Sequence, residues 1–321
     1  MIKYIIKRFL QMFVVLFVVS LLVFLLTNCI GDPVDMLVPE NATLEQIESA
    51  RARLGLDKPL YVQYGIFLND VLHGNLGKSY TYGLPAMTLI VERMPATLEL
   101  VAVAAVLVLL LAIPLGVYAG AYPKRATSKL IMSGSILGIS LPSFWLGMMM
   151  IYIFAVILGV LPASGRGDTI DVAGVKLSIF APGGIRFIIL PAVTLALTNM
   201  ATMLRLMRSG ILENMRQDYV KFARAKGVPA KSILFGHAMK NALIPVITIF
   251  GLDLGNMIAF TTITETIFAW PGMGKLLIDA INKSDRPIIV AYLMTAACMF
   301  VVLNFIVDIL YTLIDPRIEL R

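Results

Sequence analysis

Four carboxylates lie within or at the ends of otherwise apolar stretches: Glu99, Asp253, Glu265 and Asp308. A charge in an apolar medium is costly, so such a group faces a protein interior, pairs with a partner, or lines a water-filled path. Asp253 is the deepest, in Gly251-Leu252-Asp253-Leu254-Gly255. Two readings stand for it, pathway lining or gating and a structural hydrogen bond. Asn256 and Glu265 join Asp253 as candidates for lining a polar pathway. Glu99 and Glu265 are placed near the outer ends of their stretches. Asp308 is one helical turn from Asn304, so the two can share a face, and Glu99 and Asp308 are read as structural groups. His73 and His237 are far apart in the chain, and no metal-ligand cluster, HExxH or nucleophile–base pairing is present. Cys29 and Cys298 sit in apolar stretches and read as buried structural thiols. Gly272-Met273-Gly274-Lys275-Leu276 mimics the end of a phosphate-binding loop, but Ala269 stands where the first glycine belongs and Leu276 where Ser or Thr belongs. Neither a metal nor a cofactor is expected on this chain.

The elements that must hold these groups are transmembrane. Of 321 residues, 59% are hydrophobic and 15% charged, with a mean hydropathy of +0.86. Soluble domains run at about 45–50% apolar and about 25% charged, so lipid is the expected solvent. Six stretches are long enough to cross a bilayer: about 10–30, 100–121, 131–158, 187–206, 243–264 and 288–313. Backbone in lipid must satisfy itself, so these are helices. The first, preceded by Lys3, Lys7 and Arg8, is too long for a signal peptide and lacks a small-x-small cleavage site, so it reads as an uncleaved anchor.

The net charge of +7 does not point to nucleic acid, because the basic residues are spread between apolar spans. An inside N-terminus puts most of the Lys and Arg residues on the cytoplasmic side, eight of them between Arg205 and Lys240. The positive-inside rule then places both termini in the cytoplasm. The fold expected is one all-α integral membrane domain over 1–321, with six kinked transmembrane helices. An outer helical segment occupies about 31–97 and a cytoplasmic loop about 207–242. In the outer segment, Thr43 can cap a helix carrying Leu44, Ile47 and Leu54 at helical spacing; it either covers the span ends or touches an external partner. Pro114, Pro142 and Pro191 can kink their spans. Gly116/Gly120, Gly134/Gly138 and Gly251/Gly255 have the spacing that lets helices approach closely.

The cytoplasmic loop has internal order beyond its charge. Tyr219 to Lys226 favours helix, Gly227-Val228-Pro229 breaks it, and a second helical stretch runs from Ala230 into the fifth span. Fixed to the bilayer at both ends, this makes a rigid protrusion whose small residues Ala223, Ala225 and Gly227 allow close approach.

Here the residues resemble a known family. Tyr219-Val220-x-x-Ala223-Arg224-Ala225-Lys226-Gly227 and His237-Ala238-x-x-Asn241-Ala242-Leu243-Ile244-Pro245 are similar to the EAA loop of ABC importer permeases, in the dipeptide/oligopeptide/nickel branch. With the glycines aligned, Lys221 takes the position of that motif's glutamate and Lys240 that of its later proline. The resemblance covers essentially the whole chain. Along it lie Gly31-Asp32-Pro33, Leu54 to Leu60, Gly74 to Ser79 and Pro95 to Leu100. Further on come Leu141 to Trp145, Leu161 to Gly165, Glu265 to Gly274, Asp308-x-x-Tyr311 and Asp315-Pro316-Arg317. Together these look like the first of the two permease subunits in such systems.

The resemblance implies a heterodimer with a second permease, two cytoplasmic ATPases that bind ATP and Mg, and an extracytoplasmic solute-binding protein. It implies that Tyr219, Ala223, Arg224, Ala225, Gly227 and His237 couple to the ATPases, and that the chain itself is not an enzyme. The substrates of such systems include dipeptides, longer peptides, glutathione and nickel chelates. An autonomous secondary transporter or channel, and a membrane-embedded enzyme, are the alternatives; few buried charges, no internal repeat and no catalytic cluster argue against them.

Overall fold

A computed structural model of the chain describes residues 2–29, Val34 and 43–314. The expected motifs at Gly31-Asp32-Pro33 and Asp315-Pro316-Arg317, and the charges of Glu319 and Arg321, lie outside the described residues, as do the side chains of Cys29 and Tyr311.

Among the described residues, five continuous helices are long and apolar enough to cross a membrane. They are α1 (Ile2–Cys29), α4 (Ala86–Ala121), α7 (Gly184–Asn214), α10 (Met239–Ile267) and α12 (Arg286–Ile314). The sixth expected span is broken. Here α5 (Ala126–Ser140) and α6 (Ser143–Met150), which continues as π-helical turns over Ile151–Ile157, meet at 107°. Pro142 sits at the break and can neither donate its missing N–H nor let Leu141 remain helical; Leu141 is extended, with φ −89° and ψ 131°. Pro114 and Pro191, by contrast, lie inside continuous α4 and α7, as do Pro95 in α4 and Pro245 in α10.

Glycine spacing sorts the same way. A Cβ on Gly116 or Gly120 of α4 would stand 2.7 Å from Met207 or Ile211 of α7. On α10, Gly251 seats Val307 and Gly255 seats Phe300, 2.5 Å from where its Cβ would be, both from α12. These two pairs are contact surfaces within the chain. The Gly134/Gly138 pair of α5 is looser: nothing lies within 4 Å of a Cβ at Gly134, and one at Gly138 would stand 3.4 Å from the Leu197 carbonyl of α7. The main core joins α4, α7 and α10 through Leu100, Ala104, Val108, Met203, Met207, Ala242 and Met257.

The outer segment contains the expected helix, α2 (Leu44–Leu54), with Thr43 and Gln46 forming a reciprocal capping box and Gly55 closing it at φ +67°. Three elements were not anticipated. The first is α3 (Leu60–Leu72), the second α11 (Met273–Asn282). The third is a two-stranded hairpin, β1 (Ile170–Val172) with β2 (Val175–Leu177), turned through Ala173 and Gly174. Cys298, expected to be buried, is an exposed thiol on α12.

Candidate functional site

The segment between α7 and α10 is a helical protrusion. α8 (Asp218–Ala225) stops at Gly227, whose φ of +76° is a left-handed conformation that favours glycine. Val228-Pro229 then lead into α9 (Ala230–Ser232), which passes through π-helical turns over Ile233–Ala238 directly into α10. Val220, Ala223 and Ile233 form a small core that seats α8 on this second helix. The Tyr219 hydroxyl donates to Asn214 Oδ1 at the end of α7 (2.8 Å) and accepts from Asn241 Nδ2 on α10 (3.1 Å). At the base, Gly210 of α7 packs on Ala242 of α10, 2.9 Å from the position of an added Cβ.

The residues singled out in this loop therefore divide. Ala223 faces the chain, and Tyr219, itself 39% accessible, ties α8 to it by hydrogen bonds. Arg224, Ala225, Gly227 and His237 are exposed, and nothing lies within 4 Å of a Cβ built on Gly227. Two exposed aromatic residues were missed: Phe222 is 63% and Phe235 48% accessible. Lys226 Nζ stands over the Phe222 ring, 4.5 Å from its centroid. The signal was present in the sequence, since a phenylalanine among Lys221, Arg224 and Lys226 has no reason to face water unless something covers it.

The membrane-depth carboxylates occupy three different environments. Asp253 is half-buried on α10 and hydrogen-bonds Asn256, which is exposed. The two share one face of α10. Glu265 is completely buried. It accepts from Thr97 Oγ1 (2.6 Å) and from the Lys275 amide (2.9 Å) at the start of α11, and the Gly274 amide also hydrogen-bonds it. Thr97 Oγ1 in turn accepts from the Met273 amide (2.8 Å), and Trp270 Nε1 donates to the Ala96 carbonyl (2.8 Å). This arrangement pins α11 and the end of α10 onto α4, and it encloses the carboxylate of Glu265, the third pathway candidate, within the chain. A Cβ at Gly272 would collide with this carboxylate, and one at Gly274 would stand 2.6 Å from Thr262 Cα.

Glu99 is 5% exposed and receives Arg166 through Nε (3.0 Å) and a second nitrogen (2.5 Å). It also accepts the amides of Ser178 and Ile179, each at 2.7 Å. This holds the hairpin-bearing loop onto α4. Asp308 pairs with Arg8 of α1 at 3.2 Å. A fifth carboxylate was not singled out. Asp285 is fully buried and accepts from Ser79 Oγ (2.5 Å) and the Thr81 amide (2.9 Å), clasping the 78–82 turn to the head of α12. Beside this clasp the hydroxyl of Tyr80 titrates above its ordinary value, chiefly because it is buried.

Crossing helices with a broken span and buried carboxylate latches make a membrane-embedded helical bundle, and its loop between α7 and α10 carries exposed aromatic and basic residues. The comparisons with known proteins identify the family. Residues 112–320 match the family described as binding-protein-dependent transport system inner membrane component, and residues 1–101 match the N-terminal part of such membrane components. The chain is 39% identical over 309 residues to the probable D,D-dipeptide transport system permease protein DdpB of Escherichia coli, covering 92% of this chain and 91% of that one. It is 40% identical over 306 residues to the di/tripeptide transport system permease protein DppB of Pseudomonas aeruginosa, 90% of each. It is 37% identical over 321 residues to the oligopeptide transport system permease protein AppB of Bacillus subtilis, 99% of this chain and 100% of that one. A chain of the MetNI methionine ABC transporter, in an inward-facing crystal form, matches with a TM-score of 0.54 over 72% of this chain and 98% of that chain. At 16% identity this last likeness establishes the fold alone.

The chain belongs to the binding-protein-dependent transport system inner membrane component family. It is a multi-pass inner-membrane protein and the transmembrane subunit of an ABC importer, working in a complex with other transporter subunits, which sets aside the autonomous carrier or channel.

Proposed function

We propose that this subunit forms half of the translocation pathway for peptides and takes its drive from two cytoplasmic ATPases through α8. In this reading a second, similar permease completes the pathway, and an extracytoplasmic solute-binding protein delivers the peptide. ATP and Mg sit in the ATPases, and this chain holds neither and catalyses nothing. Both termini are cytoplasmic, and the chain acts as one permease domain over 1–321. Asp253 and Asn256 line the pathway from their shared face of α10.

The observation that carries the proposal is the exposed face of α8 and the following turns, with Tyr219 bolting α8 to α7 and α10 behind it. A helix whose inner side is fixed to two spans and whose outer side offers Phe222, Arg224, Ala225 and Gly227 transmits a push without absorbing it. The peptide substrate is supported by the names of the relatives, all peptide permeases.

The test is purification of the tagged full chain in mild detergent, with mass spectrometry of what accompanies it and ATPase assay of the product. Recovery of a second permease and two ATPases, with peptide-stimulated hydrolysis in the presence of the binding protein, is the expected result. Recovery of the chain alone, moving solute into liposomes without ATP, overturns it.

A further inference from the structure

Helix α3 is out of place for a water-exposed element. Nine of its residues are apolar or aromatic, and none is buried against the protein. Leu60, Tyr61 and Leu72 are 60%, 78% and 77% exposed. A 13-residue helix with such a surface is marginal in water and needs a covering medium. Its depth says which. The Tyr64 ring stands 6.0 Å from Phe17 and 5.4 Å from Phe24 of α1, and its hydroxyl is 2.8 Å from Ser20 Oγ. At 1.5 Å per residue, Phe17 lies about 18 Å and Phe24 about 8 Å inward from the Cys29 end of α1. The hydrocarbon half-thickness is about 15 Å, so α3 lies against α1 at the depth of the acyl chains. The surface of α1 is equally uncovered, with Phe13, Val14, Phe17, Leu22 and Leu26 all about half exposed or more.

Between α1, α3 and the head of α12 this arrangement leaves an open pocket of about 250 Å³. Phe24 and Phe67 line its apolar side; Asp70, Asn75, Tyr80 and Arg286 line its polar side. An apolar slot opening beside lipid-depth surface, with one carboxylate and one guanidinium at the polar side, has the chemistry of a zwitterion with a hydrocarbon tail. We propose that this wedge is a phospholipid site: Asp70 meets the ammonium and Arg286 the phosphate of a zwitterionic headgroup, and an acyl chain runs along Phe24 and Phe67. The lipid fills the space that α3 leaves against α1 and tethers the outer segment to the bilayer. A free short peptide carries the same pair of charges, but it has no use for the apolar slot.

The test is native mass spectrometry of the assembled complex after delipidating washes, with phosphatidylethanolamine, phosphatidylglycerol or glycylglycine added back. The wild type retains phosphatidylethanolamine, and phosphatidylglycerol does not replace it. Asp70→Asn with Arg286→Gln reduces retention at least fivefold. Ile66→Trp, which narrows the cavity from a partly exposed position and leaves both charges in place, does the same without lowering the thermal midpoint of the complex. Equal retention in the wild type and in both variants overturns the proposal. Displacement of the lipid by glycylglycine also overturns it and assigns the site to a soluble zwitterion.

Discussion

The latch around Glu265 makes a quantitative prediction because one glycine is explained by one carboxylate. A methyl on Gly272 would fall on the carboxylate of Glu265, touching both oxygens and Cδ. The backbone of Gly272 is extended, with φ −95° and ψ −176°, so alanine carries no conformational strain there and the whole effect of Gly272→Ala is steric. Overpacking of this kind costs about 1–3 kcal/mol. Glu265→Ala deprives the Thr97 hydroxyl and the Lys275 and Gly274 amides of their acceptor. At about 1–3 kcal/mol per buried group left unsatisfied, less what entering water restores, that loss is about 3–6 kcal/mol. In the double variant the three atoms nearest the new methyl are gone, so Gly272→Ala becomes nearly neutral and the coupling is about 1–3 kcal/mol in favour of the pair. Gly274→Ala is the control. Its Cβ meets Thr262 Cα at 2.6 Å, a backbone atom that Glu265→Ala leaves in place, so its penalty persists in both backgrounds. The assay is the apparent unfolding midpoint of the assembled complex in detergent for all five variants. Equal penalties for Gly272→Ala with and without the Glu265 carboxylate would refute the reasoning, as would equal rescue of Gly274→Ala.

Three further outcomes follow from the same geometry. Arg166→Met leaves the Glu99 carboxylate buried without its cation, a loss of about 3–5 kcal/mol, and it should make the 158–183 loop the first site cut in limited proteolysis; an unchanged cleavage pattern would count against the anchoring role. Gly227→Glu meets open space in the isolated chain and puts a side chain in a left-handed position at about 1–2 kcal/mol, so the complex should still assemble while transport per ATP hydrolysed falls; normal transport would remove Gly227 from the coupling face. Tyr219→Phe removes two exposed hydrogen bonds, about 0.5–1.5 kcal/mol each, and should lower transport more than ATPase rate; Asn241→Ala added to it should do little more, and a full additive loss would show that the two do not act as one bolt.

Much of this architecture was legible in the chain, and the exceptions have physical causes. Span positions follow from bulk apolarity, and α2 was legible because Thr43 and Gln46 make a local cap. The break after Ala225 was legible because Gly227 and Pro229 act on their own neighbours. The depth of the break at Pro142 was not, since Pro114, Pro191 and Pro245 carry the same local chemistry inside continuous helices, and only packing decides which proline bends its span. Helix α3 was hidden because its apolar residues surround it on all sides, leaving no amphipathic period to read. The latches were beyond reach for a simpler reason. Glu99 meets Arg166, Thr97 meets Glu265, and Ser79 meets Asp285 across 67, 168 and 206 positions, and no local pattern records such pairings. Among the site residues, helical spacing does separate Ala223 from Arg224 and Ala225. Which side faces inward depended on Ile233, which the second helix supplies.

The distribution of these contacts says where the subunit can move. The ends of α4, α10 and α12 on the side of α11 are held by buried hydrogen bonds to carboxylates, through both oxygens of Glu99 and Glu265 and through Oδ2 of Asp285. Such networks are all-or-none, because breaking one partner strands the rest in a low-dielectric interior. At the other end α7 and α10 meet through Gly210 on Ala242, and α4 meets α7 through Gly116 and Gly120. These are close-packed glycine contacts, and the polar link between α7 and α10 at this end is the exposed Tyr219 bridge rather than a buried carboxylate. In the proposed coupling a push on α8 enters α7 and α10 through Tyr219 while the far end of α10 is pinned at Glu265, so the displacement of α10 is largest on the α8 side and decays toward Glu265.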